Sequence, residues 1–145
     1  MTRGTIATTL LITSLALPAF AESHATGDAA KGESTYKKCK ACHVIADDDG
    51  NVIQKGGKTG PNLYGVVGRA AGSVDGFRYS SVMEDAAATG LVWDAENLVS
   101  FLADPSKHLS EVAGKKGRSK MSLKLKKGAE DMVAYLASVG PAPAE

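Results

Sequence analysis

The 145-residue sequence contains no apolar segment long enough to cross a membrane. Its longest apolar stretch runs from Ile6 to Leu17, and no later segment is comparable. The sequence also lacks a G-x-x-x-x-G-K-[ST] phosphate loop and shows no internal repeat or strand-like alternation of any length. We therefore expect a soluble mature protein without stable membrane insertion.

The first 21 residues have the features of a secretory leader. Arg3 supplies a short positive region, the apolar stretch follows, and Ala19-Phe20-Ala21 fits the A-x-A cleavage pattern. The sequence predicts a signal peptide over residues 1–21, cleaved after Ala21, and a single exported domain over residues 22–145. For a bacterial protein, this places the mature chain in the periplasm.

The only two cysteines lie in Cys39-Lys40-Ala41-Cys42-His43. This spacing is typical of c-type haem attachment, in which both thiols form thioethers and the adjacent histidine binds the iron through Nε2. A C-x-x-C pair also occurs in redox dithiols, zinc half-sites and simple disulfides. There are no further cysteines, His24 and His108 lie far away without ligand spacing, and no βαβ pattern is present. The sequence therefore favours one covalently bound haem c.

The remaining pattern predicts an all-α domain of four to five short helices joined by long loops. Capping residues and apolar spacing indicate helices from about residue 27 to the haem motif, from 80 or 81 to 88, from 94 to 104, and from 128 or 129 to 138. Residues 105–109 are expected to add one short turn, and 112–127 to form a long surface loop. Helices so short bury little apolar surface, and a porphyrin would fill that deficit.

A haem iron held by His43 has one axial position left. The neutral candidates are Met83, Met121, Met132 and His108. Met83 and Met132 occupy helical positions, where methionine usually fills the core, and His108 could face either way. Met121 lies in a polar loop, where an apolar thioether needs a reason, so it is the favoured ligand. Two protein ligands would leave no open position on the iron, which indicates electron transfer rather than an enzyme.

Two other functions remain open at this point. A haem enzyme such as a peroxidase, or a gas sensor, would need an iron whose sixth position is vacant or easily vacated. A haem-free thiol protein would use the two cysteines alone.

Haem propionates would need hydrogen-bond donors, and Arg69, Tyr79 and Trp93 are the available candidates.

Positive charge is concentrated in one segment. Residues 105–128 contain eight lysines and arginines against a single acid, Glu111. Such a run is usually a solvated face, but a one-sided positive patch also attracts acidic partners. No aromatic residues are interleaved with these charges, so the sequence does not favour nucleic-acid binding.

These motifs together resemble the class I cytochromes c, in particular the bacterial cytochrome c2 group. The resemblance covers nearly all of residues 27–139. It is carried by Cys39–His43 and by five further stretches: Gly27–Glu33, Lys58–Arg69, Gly76–Ser80, Lys120-Met121 and Tyr135-Leu136, with Trp93 and Pro105 between them.

The resemblance implies the class I cytochrome c fold wrapped around one haem. It implies that the Pro61 carbonyl accepts the His43 proton, and that Met121 is the second axial ligand. It also implies that three side chains surround the propionates, namely Arg69, Tyr79 and Trp93. The first and last helices should cross, with Gly32 and Tyr36 near Tyr135.

Two positions depart from the family pattern. Phe101 stands where many members have a tyrosine, and Leu123 where many have an aromatic residue near the exposed haem edge.

The function that the resemblance implies is that of a monomeric periplasmic one-electron carrier. It would take electrons from a membrane quinol–cytochrome c reductase and deliver them to a photosynthetic reaction centre or a terminal oxidase. Lysines around Met121, with Lys37, Lys38 and Lys40, would ring the haem edge.

Overall fold

The computed structural model describes residues 26–141, so the predicted leader, the residues that follow it up to 25, and the last four residues lie outside the described part. Five α-helices dominate it. They are α1 (Ala29–Thr35), α2 (Ser81–Ala88), α3 (Ala95–Ala103), α4 (Pro105–Val112) and α5 (Ala129–Ser138). One 3-10 turn, Tyr36–Lys38, leads from α1 into the haem motif. The prediction of an all-α fold with four to five short helices is confirmed.

Aspartates cap three of these helices. The Asp28 carboxylate accepts from the Ala30 and Lys31 amides at 3.0 and 3.2 Å. Asp94 accepts from the amide of Asn97 at 2.7 Å, and Asp104 caps α4. A side chain that accepts from these amides satisfies groups that the helix itself leaves unpaired. The starts predicted at Asp28 and Asp94 are therefore correct.

The helix α4 is longer than the single short turn predicted for residues 105–109. It runs for eight residues, with Asp104 as its cap and Pro105 at its first position, where a proline costs no hydrogen bond. Leu109 is fully buried. The prediction was wrong because two turns give little apolar periodicity, and the helix is stabilised by what it packs against.

A small hairpin interrupts the loop predicted after the haem motif. Strand β1 (Ile45–Ala46) pairs antiparallel with β2 (Val52–Gln54). The Asp47 carboxylate closes the turn between them by accepting from the amides of Asp49 and Asn51 at 3.1 and 2.8 Å. Strands of two and three residues are too short to show alternation, so the sequence shows no sign of this hairpin.

The first and last helices cross at close range, as the resemblance implied. A Cβ atom on Gly32 would lie 2.0 Å from the Asp131 carbonyl oxygen and 2.6 Å from Cβ of Tyr135, so only glycine fits. The rings of Tyr36 and Tyr135 pack with centroids 5.9 Å apart. This crossing fixes α1, and with it the haem motif that follows, against α5.

Around this crossing the buried side chains of α2, α3 and α5 do not close into a solid core. They surround a cavity, which also meets the haem motif and the loops 59–80 and 119–123. Within residues 26–141, no helix combines the length and apolar character that spanning a membrane requires.

Candidate functional site

The structure brings all eight predicted site residues to the wall of one cavity of about 300 Å³. Its lining is mostly apolar, and the polar groups in it are few. The predicted residues on the wall are Cys39, Cys42, His43, Pro61, Arg69, Tyr79, Trp93 and Met121. A large apolar cavity with a few convergent polar groups is typical of a cofactor site.

The two thiols and the imidazole lie on one helical turn. The amides of Cys42 and His43 both donate to the Cys39 carbonyl at 3.0 Å. Cys39 is buried and Cys42 is exposed, and the two are not joined by a disulfide. Cys39, Cys42 and His43 all contribute to the same wall, which is the arrangement that covalent haem attachment requires.

The orientation of the His43 ring is set by a single hydrogen bond. Nδ1 lies 2.8 Å from the carbonyl oxygen of Pro61. A carbonyl can only accept, so Nδ1 carries the proton and the Nε2 lone pair is free to bind a metal. Burial lowers the pKa of His43, which favours this neutral form. The Tyr36 hydroxyl donates to the His43 carbonyl at 2.9 Å and holds the turn from its other side.

Three glycines let the next loop lie directly on the haem motif. A Cβ on Gly60 would come within 2.3 Å of His43 Cε1, and one on Gly56 or Gly57 would strike the backbone of residues 41–43. The amide of Gly60 donates to the Cys42 carbonyl at 2.7 Å. These glycines are therefore needed for close packing. Only their clustering just before Pro61 could have signalled this.

Arg69 is a half-buried cation that has no anionic partner in the part of the chain that the structure describes. Its guanidinium donates to the carbonyl oxygens of Tyr64 and Asn62 at 3.1 and 3.0 Å. No carboxylate within residues 26–141 forms an ion pair with it. Burial lowers its pKa, although an arginine remains charged at neutral pH. A buried charge needs a counterion, and a haem propionate would supply one.

The other two predicted propionate donors also lie on the wall. The Tyr79 hydroxyl accepts from the Val74 amide at 3.3 Å, which leaves its own proton free to donate. The Trp93 ring packs against Phe101 with centroids 4.9 Å apart. Phe101 and Leu123, the two departures from the family pattern, both face the cavity as well.

The structure reduces the candidates for the second axial ligand from four to three. His108 is absent from the cavity wall, because it lies behind Trp93 and Phe101 with Nδ1 3.0 Å from Ser100 Oγ. Met83, Met121 and Met132 all line the cavity. Met132 is completely buried on α5, whereas Met121 is half-buried in the loop between α4 and α5.

The donor set fits a haem c. Two thiols, one neutral imidazole, thioether sulfurs and an unpaired cation surround an apolar space within a small all-α fold. Fold and site together define a protein that holds a covalently attached haem and surrounds it with its own side chains.

Comparison with known proteins gives the family. No family model matches the chain. Cytochrome c-551 of Roseobacter denitrificans is 51% identical over 140 residues, which is 96% of either chain. Cytochrome c2 of Rhodobacter capsulatus is 50% identical over 86% of this chain and 88% of its own length. Among solved structures, ferric cytochrome c-550 of Paracoccus versutus is 47% identical, with a TM-score of 0.77 over 79% of this chain and 99% of that one.

The chain belongs to the class I cytochromes c, in the group of bacterial cytochromes c2, c-550 and c-551. It carries one covalently bound haem c, attached through the Cys39–Cys42 motif. It is an electron-carrier cytochrome rather than an enzyme.

Proposed function

We propose that this cytochrome is a periplasmic one-electron carrier whose haem iron is bound by His43 and Met121. It takes electrons from a membrane quinol–cytochrome c reductase and passes them to a photosynthetic reaction centre or a terminal oxidase. One observation carries the proposal. His43, whose neutral ring is oriented by Pro61, lines the same cavity as Met121 and the two cysteines.

When bound, the haem supplies an iron that gains or loses one electron. The chain's own residues decide what else can happen there. Cys39 and Cys42 hold the porphyrin covalently, and His43 presents Nε2 because Pro61 holds its other nitrogen. A thioether from Met121 favours the reduced metal and raises the reduction potential. If His43 and Met121 both hold the iron, no position would be left on it for oxygen or peroxide.

The polar side chains of the wall hold the propionates. Arg69 offers the charge that its surroundings do not balance, and the Tyr79 hydroxyl and Trp93 indole offer further donors. Hydrogen bonds between a cation and a carboxylate are about twice as strong as neutral ones, so Arg69 contributes the most of these three side chains to holding the propionates.

The positive segment supports docking to an acidic partner. Three of its lysines are already paired, with Asp85 (Lys115, 2.7 Å), Asp104 (Lys124, 2.5 Å) and Glu111 (Lys107, 3.8 Å). Three other lysines of the segment, Lys116, Lys126 and Lys127, are exposed and form no ion pair with residues 26–141. The same is true of Lys37 and Lys38 just before the haem motif and of Lys40 within it. Redox partners of this kind form small, transient interfaces steered by charge.

Export completes the proposal. Residues 1–21 act as a signal peptide, and residues 22–145 form the mature domain, which works as a monomer in the periplasm. Determining the N-terminal residue of the protein purified from its host tests the cleavage site, and Glu22 is the residue expected.

Absorption spectra test the ligand assignment. The ferric protein should show the weak thioether–iron band at the red end of the visible range. Met121→Ala should abolish it, whereas the matched controls Met83→Leu and Met132→Leu should retain it, because those residues are assigned to packing. Loss of the band in either control, but not in Met121→Ala, would overturn the assignment.

Carbon monoxide separates this proposal from the open-site haem enzyme or sensor. The native reduced protein should bind carbon monoxide slowly, and Met121→Ala should bind it rapidly because the sixth position is then free. Rapid binding by the native protein would support the open-site function instead.

A further inference from the structure

Serine hydroxyls satisfy every second amide in the segment that leads to Met121. The Gly117 amide donates to Ser110 Oγ, the Ser119 amide to Ser106 Oγ, and the Met121 amide to Ser119 Oγ, each at 3.1 Å. Two of the three acceptors belong to α4. This segment has neither helix nor strand partners, so these hydroxyls take the place of a regular hydrogen-bond ladder.

A lysine fixes the same segment to a different part of the chain. Nζ of Lys120 donates to the carbonyl oxygens of Arg78 and Tyr79, both at 2.7 Å. Both acceptors precede α2, in the loop that lines the cavity with Tyr79. Because Lys120 is the immediate neighbour of Met121, this contact restrains the backbone at the position of the thioether.

Close packing leaves the segment little room to move. A Cβ atom on Gly117 would lie 2.3 Å from Cβ of Val82 on α2. The next backbone hydrogen bond that ties the loop to the core comes only at Leu125, whose amide donates to Leu102 at 2.7 Å. The serines and Lys120 are therefore the polar anchors nearest to Met121 among the described residues.

We propose that Ser106, Ser110 and Lys120 are positioning residues for Met121, and that they set how often its sulfur leaves the iron. The inference rests on the proposed function, in which Met121 is an axial ligand. A loop held by few contacts opens locally at low cost, and each charge-assisted or hydroxyl bond at its base makes opening rarer. Anchors on both α4 and the Arg78–Tyr79 carbonyls keep the ligand in place in both oxidation states.

Imidazole binding to the ferric, haem-loaded protein measures this opening. At saturating imidazole the rate stops rising with concentration and equals the rate at which the sulfur leaves. Ser106→Ala with Ser110→Ala, and separately Lys120→Met, should raise that limiting rate roughly tenfold, since each removes at least one such bond. Lys120→Arg keeps a charged donor and should restore most of the wild-type rate.

The controls match the side chains that are removed. Ser34→Ala deletes an exposed hydroxyl on α1 that donates to the Ala30 carbonyl of the same helix. Ser110 makes the same kind of bond to the Ser106 carbonyl of α4, so this control removes an intrahelical bond alone. Lys55→Met removes an exposed charge from a loop outside the positive segment. Both should keep the wild-type limiting rate. Unfolding in denaturant is measured alongside, because a purely structural role would lower global stability and leave the limiting rate unchanged.

The outcomes separate the two proposals. Wild-type limiting rates in the serine double variant and in Lys120→Met would overturn this inference, even if Met121→Ala loses the thioether band. An unchanged spectrum in Met121→Ala would overturn the ligand assignment itself, and this inference with it. Should the serine double variant fail to fold, Ser106→Ala alone and Lys120→Met carry the same comparison.

Discussion

At the scale of single residues, the polar groups in and around the cavity differ in whether they have partners. The Nδ1 of His43 is hydrogen-bonded to the Pro61 carbonyl, so Nε2 is left to bind the metal. Arg69 has backbone acceptors but no counter-charge within residues 26–141, which suits an anionic ligand. His108, behind the wall, has a fully buried Nε2 without a hydrogen-bond partner among the described residues. Each of these groups has a measurable consequence.

His108 should make the folded state sensitive to acid. Its burial lowers its pKa below the usual 6.5, and Glu111 and Asp94 oppose this only in part. Below pH 6.5 the unfolded chain therefore binds a proton at His108 more readily than the folded chain does, and stability falls as the pH falls. His108→Phe should remove this contribution. The change in unfolding free energy with pH between 6.5 and 5.5 should then be smaller by up to about 1.4 kcal/mol per pH unit.

Denaturant unfolding of the holoprotein at pH 7.5, 6.5 and 5.5 checks this prediction. The comparison with wild type cancels every other titrating group, His43 included. Equal pH slopes in the two proteins would show that His108 takes up its proton equally well in both states.

At the scale of elements, close approach between backbones determines where the helices can lie. The α1–α5 crossing depends on Gly32, and it is strengthened by the Asp28 amide, which donates to the Asp131 carboxylate at 2.8 Å. Since α1 leads directly into the haem motif and α5 contributes Met132 and Leu136 to the cavity, this crossing also sets the shape of the site.

Gly32→Ala should therefore destabilise the protein well beyond its effect on helix propensity. The added methyl group would lie 2.0 Å from a backbone oxygen, which cannot move as a side chain can. We expect a loss of about 3 kcal/mol in the free energy of unfolding, at the upper end of typical overpacking costs. Ser34→Ala, exposed on the same helix, should change it by less than about 0.5 kcal/mol. If Gly32→Ala lowered the free energy of unfolding no more than Ser34→Ala does, α1 and α5 would be able to move apart at this point without an energetic cost.

At the scale of the whole molecule, the haem is part of the core. The cavity of about 300 Å³ lies where other small domains have packed side chains. Without the haem, the apolar side chains of its wall would be exposed to water, and burial of such surface is a main source of the small net stability of a domain.

The variant Cys39→Ala/Cys42→Ala, which cannot attach haem covalently, should consequently fail to fold when purified without haem. Far-ultraviolet circular dichroism should show most of the helix signal lost, and near-ultraviolet bands should be absent. The matched control is the same measurement on holoprotein. A cooperative unfolding transition in the haem-free variant would show that the chain is stable without its cofactor.

Charge acts over the whole surface too. If the positive segment guides docking, the rate of electron transfer to an acidic redox partner should fall roughly tenfold between low and physiological salt, because ions screen the attraction. Replacing Lys116, Lys126 and Lys127 by methionine should weaken this salt dependence. Lys31→Met on α1, outside the segment, should affect it much less. A rate that ignores salt in the native protein would remove the steering role.

Much of this protein follows from short stretches of its sequence. The spacing of Cys39, Cys42 and His43 specifies the cofactor, since covalent attachment needs those groups on one turn. The capping residues Asp28 and Asp94 specify helix starts, because an N-cap acts on amides two or three residues away. The resemblance to cytochromes c2 then gave the fold, which the comparisons confirm.

Other features depended on contacts between distant residues. The chain folds α4 into a full helix, places His108 behind the cavity wall, and packs Gly60 against the His43 ring. Their local signals are weak, namely a cap with a proline for α4 and a cluster of glycines before Pro61, because each feature depends on which distant surface the residue meets. The sequence by itself determined the cofactor and most helix boundaries through interactions a few residues apart. Only tertiary structure decided that His108 lies behind the cavity wall and what anchors Met121, because burial and hydrogen bonding there join residues distant in sequence.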